Sequence, residues 1–175
     1  LKGPNYAATS ACATASQAIA DAFFFSQRGS VDLMMCGGSE AAITEISIGG
    51  FNSMKALSTW NDRMKEASRP FDKDRNGFVM GEGAGVLVLE EYEHARKRNA
   101  RIYGELVGYG ASTDICHPIL VSPEGEAIEM AARSARCVLA GRTGCRTGTT
   151  GRSPCRCRRG GSTTRWCAAG PSSRA

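Results

Sequence analysis

Of the eight cysteines in the chain, Cys12 has the surroundings best suited to chemistry. It lies in Ala8-Thr9-Ser10-Ala11-Cys12-Ala13-Thr14-Ala15, just where a helix over residues 13–28 is expected to begin, with Gly29 as its stop. A thiol at a helix start feels the positive end and unpaired N–H groups, which favour thiolate over thiol. Small neighbours leave room for a substrate to reach the sulfur. The same N–H groups would steady an oxyanion formed when the sulfur attacks a thioester. Against this stands the ordinary fate of a cysteine among alanines, a buried structural role, and position alone reads first that way.

Other candidates carry less. His94 falls in a charged stretch, residues 91–99, and reads as a solvated surface residue. Asp72-Lys73-Asp74-Arg75-Asn76-Gly77 imitates the opening of a calcium-binding loop, but position twelve is Gly83 instead of a bidentate Glu, so a polar turn is expected. Gly81-Glu82-Gly83-Ala84-Gly85 is glycine-rich yet precedes a strand, the wrong order for a dinucleotide fingerprint. Close backbone packing is the simpler account. Cys145, Cys155, Cys157 and Cys167 match no usual zinc spacing and no metal site is expected.

The elements that must position Cys12 follow from the apolar pattern. The helix over 13–28 is apolar around most of its circumference, so it should be buried. Val31–Cys36 reads as a short buried strand ending at Gly37-Gly38. Residues 40–48 read as helix ended by Gly49-Gly50, and 57–77 as a polar loop. A strand over 86–90, an exposed helix over 91–99, a strand over 102–110 and a helix from Ser122-Pro123-Glu124 to about Ala140 complete the pattern. Helices alternating with buried strands predict an α/β layered fold.

At 175 residues the chain has room for one domain with a core. It contains no apolar run near the ~20 residues that a membrane span needs. It opens at Leu1 without a charged leader, which suits a cytoplasmic protein or a fragment of a longer one; the fragment is expected. The net charge of +5 is uneven. Residues 141–175 hold eight Arg and no Asp, Glu or Lys, whereas residues 1–140 set 14 Lys and Arg against 17 acidic residues. The body is therefore mildly acidic. From Ala140 onward only Ala, Cys, Gly, Pro, Arg, Ser, Thr and Trp occur, without Leu, Ile, Val, Met, Phe or Tyr to build a core. Two regions are expected: a folded body, 1–139, and a tail, 140–175, that is disordered or a frameshift product. The eight residue types are those whose codons carry G or C at the middle base, as a GC-rich gene read out of frame would give. The rival reading is a nucleic-acid-binding tail around Arg158-Arg159-Gly160-Gly161, which lacks the interleaved aromatics that stacking would use. No nucleic-acid partner is expected.

A resemblance alters the reading of Cys12. Gly3-Pro4-Asn5-Tyr6, the SACATA stretch around Cys12, Cys36-Gly37-Gly38-Ser39-Glu40, and Gly49-Gly50-Phe51 through Ala56-Leu57-Ser58 occur in order with Ala67-Ser68-Arg69-Pro70-Phe71-Asp72. Asn76 through Gly85 and Leu89-Glu90-Glu91-Tyr92-Glu93-His94-Ala95 continue the match. Over roughly residues 1–136 the chain resembles the middle of an elongating β-ketoacyl-acyl-carrier-protein synthase, a condensing enzyme of the thiolase-like, layered αβα fold. Only the central segment of such an enzyme would be present.

The resemblance implies that Cys12 takes the growing acyl chain as a thioester and that its own N–H is an oxyanion donor. A carrier-bound malonyl group is then decarboxylated and its carbanion attacks that thioester, elongating a fatty acid. The family's partners, two histidines in Asn-Ala-His and Gly-His contexts and a lysine before the second, are absent from this sequence, so the chain alone should be inactive. By the same resemblance His117 lies near the phosphopantetheine route, with Pro118-Ile119 departing from the family pattern there. Phe51 lines the acyl pocket or packs the core, Ser47 stands close to that pocket where glycine is frequent, and Lys55 meets the acidic carrier protein. No cofactor is implied beyond the carrier's phosphopantetheine; the partners are acyl carrier protein and, in the family, a second copy. The alternatives are a polyketide ketosynthase domain, which usually has Ser-Ser where Ala13-Thr14 stands, and a non-catalytic subunit of the same fold, which usually replaces the cysteine.

Overall fold

A computed structural model describes residues 2–117, 120–139, 142–146, 156–159 and 165–172. The backbone divides into a larger unit, Leu1–Cys36 with Leu87–Ala175, and a smaller one, Gly37–Val86.

The larger unit is built on helix α1 (Thr14–Gln27), preceded by a 3-10 turn at Ala11–Ala13. Strands β1 (Leu33–Glu40), β2 (Gly83–Glu91), β3 (Ala100–Leu106) and β6 (Trp166–Ser172) form a sheet in the order β1-β2-β6-β3. β6 runs antiparallel to both neighbours, with Glu90 opposite Cys167 and Leu106 opposite Trp166. Successive residues of a strand face opposite sides of a sheet, and β6 shows it. Trp166 packs with Ala22 and Phe23 of α1, Cys36 of β1 and Leu89 of β2. Cys167 and Ala169 pack instead with Ala95 of α3 (Tyr92–Lys97). The sheet is thus covered by α1 on one side and α3 on the other, the three-layer αβα arrangement. Helix α4 (Glu126–Leu139) and a separate ribbon of β4 (Arg142–Arg146) and β5 (Arg156–Arg159) complete the described elements.

Of the tail, 140–175, Trp166–Ser172 form a strand of the sheet, and much of the rest lies outside the described residues. Strand pairing is a backbone property, and β6 lies between two strands that satisfy its ladder on both sides. The apolar types missing from the tail are the branched aliphatics, Met, Phe and Tyr, whereas Trp and Cys bury equally well. Trp166 is 2% exposed and Cys167 fully buried. Burying an indole is worth up to ~5 kcal/mol, offset in part because Trp166 Nε1 has no hydrogen-bond partner among the described residues. Arg165 adds a forked contact to Glu105, at 2.7 and 2.6 Å, and lies 3.9 Å above the Tyr92 ring.

In the smaller unit, α2 spans Glu45–Ser53. Thr44 caps it, its Oγ1 accepting from Ser47 N–H at 3.3 Å. Gly49 and Gly50 lie inside this helix rather than ending it, because the stop is supplied further on. Lys55 takes the left-handed conformation, φ +54°, while Ala56 N–H donates to Phe51 C=O and Lys55 N–H to Asn52 C=O, a Schellman ending. β1 likewise runs through Gly37-Gly38. A Cβ on Gly37, at φ +154°, would lie 2.1 Å from the Gly85 carbonyl oxygen, so glycine is required for the two backbones to approach. Residues 57–77 are loop with one 3-10 turn, Met64–Glu66. Asp72 Oδ1 accepts from Asp74 N–H at 2.8 Å, the polar turn expected there.

Candidate active site

Cys12 is exposed and sits in the 3-10 turn ahead of α1, not within the helix itself. Two neighbours shape that turn. Ala11 has φ +49°, a conformation that costs a residue with a Cβ about 1–2 kcal/mol. Thr14 Oγ1 donates to Ala11 C=O at 2.8 Å and accepts from Ser10 N–H at 3.0 Å. Ala13 N–H is taken by Ser10 C=O, and Thr14 N–H by Ala11 C=O. Early helical amides lack partners within the helix, and Cys12's own amide belongs to that first turn. The buried thiols contrast with this one: Cys36 donates weakly to Leu87 C=O and Cys167 to Glu90 C=O, and burial pushes both thiols up.

His117 is exposed, and its Nδ1 accepts from Leu120 N–H at 3.1 Å. Asp114 organises its loop. One carboxylate oxygen accepts from Cys116 N–H at 3.0 Å and the other from Ser122 N–H at 2.7 Å. The Ser122 and then the Cys116 amide hold this carboxyl below the usual carboxylate range. Asp114 was not singled out from sequence, although an Asp two residues before a backbone turn is the available signal. Position 119 lies outside the described residues.

Phe51 and Lys55 belong to the smaller unit. The Phe51 ring meets Phe78 edge-on, centroids 5.2 Å apart. Phe78, with Ile43, Ile48, Leu57, Trp60 and Met64, lines an apolar cavity of about 330 Å³; Phe51 reaches it by backing Phe78. Ser47 serves the cap of α2. Lys55 is exposed at the Schellman position, where glycine would be free of strain. The backbone gives no reason for a lysine there.

His94 is exposed, as its charged surroundings suggest, and also reaches a buried carboxylate. Its Nδ1 is 2.5 Å from Glu90 Oε1, and Glu90 is fully buried. Arg98 completes the cluster, Nε and Nη2 donating to the two Glu90 oxygens at 2.8 and 2.6 Å, and Nη2 also to Gly170 C=O at 3.1 Å. Arg98, then His94, hold the Glu90 carboxyl below its ordinary value against the opposing effect of burial. The spacing Glu-x3-His-x3-Arg was the available signal, although Glu90 lies on β2 and Arg98 just past α3.

The chain belongs to the family described as Beta-ketoacyl synthase, N-terminal domain, whose model matches residues 1–95. It is 56% identical over 124 residues to a 3-oxoacyl-[acyl-carrier-protein] synthase 2 of Synechocystis sp., covering 71% of this chain and 30% of that protein. Among solved structures, a β-ketoacyl synthase from Burkholderia phymatum superposes with a TM-score of 0.70 at 40% identity, over 78% of this chain and 34% of that one. A type II PKS acyl-carrier protein in complex with its ketosynthase matches with a TM-score of 0.66 at 38% identity, over 71% of this chain and 32% of the other. The chain spans about a third of the length of the curated relatives it matches.

Proposed function

We propose that this chain is the Cys-bearing part of an elongating 3-oxoacyl-acyl-carrier-protein synthase, an acyltransferase of fatty acid synthesis. The observation that carries the reading is Cys12, exposed in the turn before α1 and embedded in the segment matched by the family model. In the proposed reaction the Cys12 thiolate attacks an acyl thioester, its own N–H steadies the oxyanion, and the carrier's thiol leaves. Loss of CO2 from a malonyl thioester then supplies the carbanion that displaces Cys12 and forms the carbon–carbon bond. That second half needs the histidine pair and lysine of the family, and no sequence context here matches them. Curated relatives at 51 to 56% identity are named 3-oxoacyl-[acyl-carrier-protein] synthase 2, which supports fatty acid elongation over the polyketide alternative. Acyl carrier protein and a second copy are the proposed partners, phosphopantetheine on the carrier the only prosthetic group, and the cytoplasm the proposed compartment. No helix among the described residues is long and apolar enough to cross a membrane. The tail from about Ala140 is proposed to arise from a change of reading frame, which resequencing from the Met130 codon tests.

Incubation of the 175-residue chain with acyl-carrier protein should deposit an acyl group on Cys12, read by peptide mass spectrometry, yet addition of malonyl-carrier protein should give no condensation product. Acyl transfer to another residue, or product formation, would contradict the respective half of the proposal.

Lys55→Glu should lower acyl uptake from the carrier-bound donor about tenfold, because a negative charge then faces an acidic partner. Uptake from a small acyl-pantetheine thioester should change less than about twofold. Lys55→Gly, suited to φ +54°, should raise stability by about 1 kcal/mol while also weakening use of the carrier. An equal loss with both donors in Lys55→Glu would make Lys55 a fold residue instead.

A further inference from the structure

We infer that Thr14 is a positioning residue for Cys12: its side chain holds the turn in which the Cys12 amide faces an acyl oxyanion. This rests on the reading of Cys12 as acyl acceptor. The hydroxyl is used in both directions, accepting from Ser10 N–H at 3.0 Å and donating to Ala11 C=O at 2.8 Å. These contacts bracket the one residue before the nucleophile that lies in a strained conformation, Ala11 at φ +49°. Strain of that kind persists only where surrounding bonds over-determine it. Thr14 is the only side chain among the described residues that bonds to the turn on either side of Cys12. Without the hydroxyl Ala11 is free to relax to negative φ, which rotates the peptide plane joining Ala11 to Cys12. That plane carries the Cys12 N–H.

The consequence separates two reactions of the same sulfur. Alkylation by iodoacetamide displaces iodide at a saturated carbon and forms no oxyanion, so it needs only an accessible thiolate. Acylation by a thioester passes through a tetrahedral oxyanion and needs the aligned N–H. Thr14→Val keeps the shape and removes the hydroxyl; Thr14→Ser keeps the hydroxyl and removes the methyl.

Both rates are measured at Cys12 in the full 175-residue chain, with iodoacetamide and with a small acyl-pantetheine thioester, and peptide mass spectrometry locates the label. In Thr14→Val the acylation rate should fall about tenfold while alkylation changes less than about threefold, and Thr14→Ser should restore acylation. Equal acylation in Thr14→Val and wild type overturns the role of Thr14 and leaves Cys12 as acceptor intact. A parallel fall of both rates also overturns it, as general loss of structure. A wild-type chain that is alkylated but never acylated at Cys12 overturns the acceptor reading itself, and Thr14's role with it.

Discussion

Treated with a small alkylating agent near neutral pH, the 175-residue chain should be labelled at Cys12 ahead of Cys36 and Cys167, and should then take up no acyl group. Thiolate is the reactive form, and reactivity requires both its formation and access to it. Cys36 and Cys167 are 8% and 0% exposed, and burial raises both thiols, so each is protonated and shielded. Cys12 is open to solvent. Cys116 is exposed too and supplies the control. Cys116→Ala should leave acyl uptake unchanged, whereas Cys12→Ala should lower it by several orders of magnitude, as removal of a nucleophile does. Persistent acylation of Cys12→Ala, or prior labelling of Cys36, would remove Cys12 from the mechanism.

The second large effect concerns stability. Glu90 is a fully buried carboxylate joined to Arg98 through both oxygens and to His94 through one. Replacing a buried, hydrogen-bonded charge by a neutral amide leaves donors of Arg98 unmatched, and Glu90→Gln should cost about 3 kcal/mol at pH 7. Arg98 also donates to Gly170 C=O, so the change should loosen β6 first. The pH dependence has a definite sign. The folded carboxyl lies below its unfolded value of about 4.3, so its stabilisation is complete above that value. It is lost as pH falls through the depressed folded value. The gap between the urea midpoints of wild type and Glu90→Gln should therefore be constant from pH 7 to about 4.3 and narrow as pH falls below it. A gap that does not narrow below about 4.3 would mean that the Glu90 charge contributes nothing to the fold.

The turn around Cys12 and the alternation of helices with strands were legible because helix starts, apolar runs and glycine stops act over a few neighbouring residues. Element ends were less so. Gly37-Gly38 and Gly49-Gly50 read as breaks, yet the first pair lets two strands approach and the second rides inside α2. A glycine signals backbone freedom without saying how it is used. His94 was legible as an exposed residue, but its contact with Glu90 was not, because that partner lies four residues earlier at the buried end of a strand. Strand β6 was missed for a different reason. Its place between β2 and β3 is decided by contacts sixty or more residues away in sequence, which no local pattern encodes.

The smaller unit enters the chain at Gly37 and leaves it at Val86, and its two ends are stitched where the Gly37 and Gly85 backbones touch. Such a segment is a cassette. Swapping it between relatives would transplant Phe51, Lys55 and the apolar cavity as one block while leaving Cys12 and its turn untouched. Recombination within this stretch of the gene can therefore exchange those residues together while the stretch that encodes Cys12 is inherited unchanged.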